Sequence, residues 1–118
     1  MQKMGMAGLV LLATAGLAGC SPHPGAGNWE AVDTAATPFA KLLVHFEGRA
    51  ELFDAASGAE SHHCFWGAKN DGEIQLDCTT PEDTETRIRF NLRVEGDGTA
   101  QLFRDEALIG RFRRTPEG

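Results

Sequence analysis

Two cysteines, Cys64 and Cys78, stand on either side of the turn signal Asn70-Asp71-Gly72. Their spacing constrains this chain more than any other feature. The three turn residues suit a loop built on a type I turn with a left-handed Gly and a bulge. Centring that loop pairs Lys69 with Glu73, and counting outward along both strands sets Cys64 opposite Cys78. Five steps out from a hydrogen-bonded pair is a non-hydrogen-bonded one, where side chains lie closer and a cross-strand disulfide fits. The same register puts Cys64, Trp66, Ala68, Ile74, Leu76 and Cys78 on one face. Phe65, Gly67, Lys69, Glu73, Gln75 and Asp77 fall on the other, and a one-residue slip would mix the two sets. Closing a loop of about 15 residues stabilises by about 3 kcal/mol in the chain-entropy model.

The rest of the body follows the same alternation. Leu42, Val44 and Phe46 alternate, Glu47-Gly48 turns the chain, and Ala50 and Leu52 return. Ile88, Phe90, Leu92 and Val94 form a long strand, residues 95–98 turn, and Ala100 and Leu102 come back. Leu108, Gly110 and Phe112 read as a last strand after a turn at Asp105-Glu106. Residues 28–33 read as the first strand, followed by a loop or one helical turn. The expected fold is all-β, with 7–8 short strands in an antiparallel up-and-down meander, closed as a barrel or packed as a curved sandwich. With 118 residues there is room for one domain.

The N-terminus carries an address. Met1-Gln2-Lys3 is followed by an almost wholly apolar run to Ala18, too short for a membrane-spanning helix and suited to a secretory signal. Its ending, Leu17-Ala18-Gly19-Cys20, resembles the lipobox of bacterial lipoproteins. The resemblance implies a signal peptide at residues 1–19, a diacylglyceryl group on the Cys20 thiol, and acylation of the new amino terminus. Several acyl chains hold a protein firmly, whereas one is marginal. Ser21, where Asp would favour inner-membrane retention in such proteins, implies transfer to the outer membrane, with the domain facing the periplasm. Residues 20–27 then read as the lipidated Cys and a flexible Pro/Gly/Ser tether, with His23 solvated, and residues 28–118 as one domain. An exported chain meets an oxidising compartment, so Cys64 and Cys78 remain as an even pair to be joined.

The chemistry of the body points away from catalysis. Seventeen acidic and 11 basic residues give a net charge of −6, which argues against a nucleic-acid partner. His62 and His63 are neighbours on a strand, so they face opposite sides and cannot chelate one ion together. Ser61 and His62 diverge for the same reason, and Ser21 and Ser57 lie in the tether and a turn. No metal or cofactor is expected, and no phosphate-cradling Gly loop exists.

Charge is uneven along the chain, and the arginines gather toward its end. Arg87, Arg89 and Arg93 project with Asn91 from one face of the long strand, and Arg111 and Arg113 extend that face from the last. Guanidinium rows bind carboxylates, phosphates or acidic partners; pairing with nearby Glu side chains is the plainer reading. Phe53, Phe65, Phe103 and Ile109 fall on outward positions.

Gly27-Asn28-Trp29 at the start, with Arg113 and Arg114 at the end, resembles the lipocalin or calycin pattern. That resemblance implies an opening Trp packed beneath an Arg of the final strand. Small periplasmic inhibitors of proteases and lysozymes are similar in size and disulfide content. The expected function is therefore a non-catalytic binding module of the cell envelope, held in the bilayer through Cys20 and meeting an envelope protein. The alternatives are a calycin-like carrier of a small apolar ligand, or an inhibitor of a lysozyme or protease.

Overall fold

A computed structural model describes residues 23–116. The signal segment, Cys20 and Ser21 lie outside the described residues. Eight antiparallel strands follow one another around a closed barrel: β1 (Gly27–Ala31), β2 (Phe39–Val44), β3 (Arg49–Asp54), β4 (Glu60–Asn70), β5 (Glu73–Thr80), β6 (Asp83–Val94), β7 (Thr99–Arg104) and β8 (Ala107–Thr115). One 3-10 turn, Thr34–Ala36, interrupts the sequence of strands, capped by Asp33 Oδ1 accepting from the Ala35 amide at 3.0 Å. Each strand pairs with its neighbours in sequence. β8 returns to β1 through Trp29 opposite Arg114 and Ala31 opposite Phe112. The meander is thus a barrel.

Alternation builds the interior. Trp29, Leu42, Ala50, Leu52, Ile74, Leu76, Leu92, Ala100, Leu102 and Phe112 are fully buried, with Phe39, Val44 and Phe90 nearly so. A barrel of eight strands has an interior that side chains can fill. Cys64 and Cys78 face this interior directly opposite one another and are joined by a disulfide.

The hairpin around that disulfide differs in detail from the expected loop. Asn70, not Lys69, pairs with Glu73, and a bulge falls between Ala68 and Asn70. Gly72 is not in the left-handed region, unlike Gly48, Gly58 and Gly98. Asn70 Oδ1 instead accepts from the Gly72 amide at 2.9 Å, closing a two-residue turn and leaving Lys69 as the extra residue. Because the bulge sits inside the Ala68–Ile74 pair, the register outward to the cysteines is unaffected. Ala68 itself is exposed near the hairpin tip.

Three further side chains fall differently from their expected positions. Phe46 lies beyond the end of β2, at the tip of the turn into β3, and is 79% exposed rather than inward. In β8 the register shifts between Leu102 and Phe103. The shift leaves Ile109 as the extra residue, so it packs against the core while Leu108 is exposed.

The stretch read as a tether enters the domain early. His23 Nε2 lies 2.6 Å from the Asn70 carbonyl, and His23 Nδ1 accepts from the Gly25 amide at 2.9 Å. Gly25 is buried against Ile74, and Gly27 already belongs to β1. From His23 onward the chain is fastened to the barrel, because its carbonyls find donors there. His23 is not a solvated side chain.

Candidate functional site

The barrel has two unlike mouths. At one lie the β2–β3, β4–β5 and β6–β7 turns, together with the incoming chain and the end of β8. At the other lie the 3-10 turn and the β3–β4, β5–β6 and β7–β8 connections.

Trp29 plugs the first mouth. Its indole is buried and its Nε1 donates to the Gly25 carbonyl at 3.0 Å. The Arg114 guanidinium stacks 4.3 Å from the ring, donates to the Ala26 carbonyl at 2.8 Å, and also bonds the Pro24 carbonyl. A substituent on Gly27 would collide with that guanidinium. Trp66 adds a second ring here, donating from Nε1 to the His45 carbonyl at 2.7 Å. His45 in turn sits 2.8 Å from Glu51.

At the opposite mouth His62 faces inward, edge-on to Phe39 at 5.3 Å and to Phe90 at 5.6 Å. Burial, assisted by the nearby positive Arg104, holds its pKa below the usual histidine value, while Glu82 opposes the shift. Ser61 Oγ lies 2.9 Å from His62 Nδ1. These neighbours were expected to diverge; they converge because a register shift between β3 and β4 leaves Ser61 as an extra, unpaired residue. Ser61 Oγ also lies within donating distance, 3.3 Å, of the Leu52 carbonyl. Among the described residues no carboxylate bonds to His62 to orient it as a base.

The five predicted arginines all lie on the outer surface, but not as one row of free guanidinium groups. Arg89 Nε donates to Asp77 at 3.0 Å. Arg93 lies 3.6 Å from Glu73 and stacks over Phe103 at 4.7 Å. Arg111 and Arg113 stand on β8, separated from β6 by the whole of β7, with Gln101 between Arg93 and Arg111. Arg87, Arg111 and Arg113 have no carboxylate within ion-pair distance among the described residues. Pairing with acidic neighbours therefore accounts for Arg89 and Arg93 and leaves three charges open.

Glu73 is a polar centre that sequence reasoning placed outward but did not single out. It is only 8% exposed, because Asn91 Nδ2 donates to it at 3.0 Å while Lys69 and Arg93 cover it at 3.5 and 3.6 Å. The signal lay in cross-strand pairing: Glu73 stands opposite Arg93 on β6.

β6 has a second property. It pairs with β5 as far as Asp83, but with β7 only through residues 91–94. A register shift between Cys78 and Thr80 leaves residues 84–87 without a partner on β5 as well, and Asp83 Oδ1 accepts from the Glu85 and Thr86 amides at 3.1 Å. The β5–β6 hairpin therefore rises past the barrel wall, and residues 87–89 have no ladder partner on their β7 side. Arg87 and Arg89 sit along this open edge.

No protein-family model, curated protein or solved structure matches this chain.

Proposed function

We propose that this protein is a lipoprotein anchored through acylated Cys20 in the outer membrane, facing the periplasm, and that it works as a non-catalytic binding module. The partner is an envelope protein that meets the arginine-bearing part of β6. The observation that carries this reading is the edge of β6 at residues 87–89, which β7 does not cover and which carries Arg87 and Arg89. Such an edge accepts an added strand, with main-chain bonds giving affinity and flanking side chains giving specificity. Guanidinium groups there favour an acidic partner segment.

Calycin-like carriage is the second reading, favoured by the closed barrel and by Trp29 beneath Arg114. The apolar packing of the interior favours the first. Inhibition of a lysozyme or protease draws on no particular residue.

Charge reversal at the edge, Arg87→Glu with Arg89→Glu, tests the interaction reading. Cross-linking in the periplasm should yield a partner adduct with the wild-type protein and lose it with the double variant, while the β-sheet circular dichroism stays the same. An adduct that survives both reversals removes the arginine-bearing edge as the contact.

A further inference from the structure

The length of chain between the proposed anchor and the barrel has a geometric consequence. His23 is fixed at the first mouth, bonded to the Asn70 carbonyl in the β4–β5 hairpin. Cys20 precedes it by three residues, which span at most about 10 Å when fully extended. An acylated Cys20 therefore cannot hold the barrel away from the bilayer. The mouth that carries His23 must lie at the headgroup layer.

Two exposed aromatic side chains lie toward that mouth, Phe65 on β4 opposite Arg49 and Phe46 in the β2–β3 turn. Phe46 is 79% exposed, the most exposed of the large hydrophobic residues described, at the tip of a tight turn. Its turn adjoins the anchor point: the His23 ring lies 6.1 Å from Trp66, and Trp66 bonds the His45 carbonyl next to Phe46. The charged groups of this mouth are of both signs, with Arg49, Lys69 and Arg114 among Glu47, Asp71, Glu95 and Asp97. Net charge therefore neither drives nor forbids contact with lipid. Phe side chains, like those of Trp and Leu, bury at the headgroup–acyl boundary of a bilayer. The opposite mouth lies a strand length farther off, roughly 17–20 Å.

We infer that the turn of residues 45–48 is a membrane-docking tip, with Phe46 entering the interfacial layer of the bilayer that holds Cys20. This rests on the lipoprotein reading. It fixes the orientation of the domain: the Trp29 mouth faces the lipid, and the β5–β6 hairpin points into the periplasm.

The test uses full-length protein, exported and acylated in cells, then reconstituted in phosphatidylethanolamine–phosphatidylglycerol vesicles with acyl chains brominated near the headgroups. The Phe46→Trp variant, read as a difference from wild type, should emit at shorter wavelength and lose most of its intensity. Leu108→Trp, at the opposite mouth, should keep its intensity. Acylated protein in which Trp at position 46 is unquenched, or in which both variants are quenched alike, overturns the docking tip while leaving the lipoprotein reading in place. A mass spectrum of the same sample showing Cys20 without acyl chains overturns both. Hydrogen exchange of the wild-type protein gives a reading independent of any variant. Vesicles should slow exchange in residues 45–48 and leave residues 105–106 unchanged; equal exchange at both turns overturns the inference.

Discussion

The two mouths of the barrel are closed by different chemistry. At one, Trp29 is buried, its nitrogen is bonded, and Arg114 lies across its face while bonding two carbonyls of the incoming chain. At the other, His62 is half-buried between Phe39 and Phe90, and its nearest hydrogen-bonding partner is the adjacent Ser61. The first mouth is tied by residues from both ends of the chain. The second is closed by ring edges and bordered by a hairpin with an open edge. Side-chain ties to the backbone gather at the mouth proposed to face lipid, and an uncovered strand edge lies at the other.

The contrast can be broken most severely at Trp29. Trp29→Ala should cost about 3–5 kcal/mol, read by urea denaturation, because it removes a core ring and leaves Arg114 without its platform. A loss of less than about 1 kcal/mol, the size of one ordinary hydrogen bond, would mean that this mouth is not where stability resides.

Removing the disulfide with Cys64→Ala and Cys78→Ala should cost about 3 kcal/mol in the same measurement. This bond lies in the wall between the mouths, so hydrogen exchange should rise along β4 and β5 before the Trp29 mouth loosens. Equal loosening throughout would deny any difference between the two ends.

The smallest effect belongs to His62, and it depends on pH. The folded protein disfavours the protonated ring, whereas the unfolded chain takes up a proton at the ordinary value of 6.5. The unfolded state therefore binds more protons as pH falls. The contribution of His62 to stability is intact above about pH 6.5 and is lost as acidification proceeds through that value toward the lower folded one. Asp54, Asp83 and Asp97, whose carboxylates accept bonds from their own turns, have values lowered from 3.8 and lose their contribution in a more acidic window. His62→Gln should flatten the stability profile between about pH 7 and 5. An unchanged profile would remove His62 as the acid-sensitive element of its mouth.

Much of this was legible in the residues, and its limits have a physical cause. Alternation in residues 88–94 and the spacing of Cys64 and Cys78 follow the two-residue period of a strand, which survives wherever pairing is regular. Phe46, Ile109 and Ser61 were misplaced because that period fails at turns and bulges, and a bulge depends on the partner strand rather than on the residue itself. The arginines were located correctly on the outer surface. Which of them are paired depends on β5 and β7 lying beside β6, and that follows from barrel order rather than from any single strand. His23 was read as solvated because Pro and Gly around it signal flexibility, yet the carbonyls of that stretch meet Arg114 from the far end of the chain.

The ladder between β1 and β8 differs from the other seven in one respect. Thr115 bonds the Asn28 carbonyl across 87 positions of sequence, while every other neighbouring pair is a local connection. Ordering such distant residues costs loop-closure entropy before any contact rewards it. A chain crossing a membrane from its N-terminus delivers β1 first and β8 last. Until its final strand arrives, the growing sheet carries an unsatisfied edge at β1, and Trp29 has no lid. The seam therefore sets the moment at which a chain emerging N-terminus first stops being vulnerable to strand-adding neighbours and to proteases.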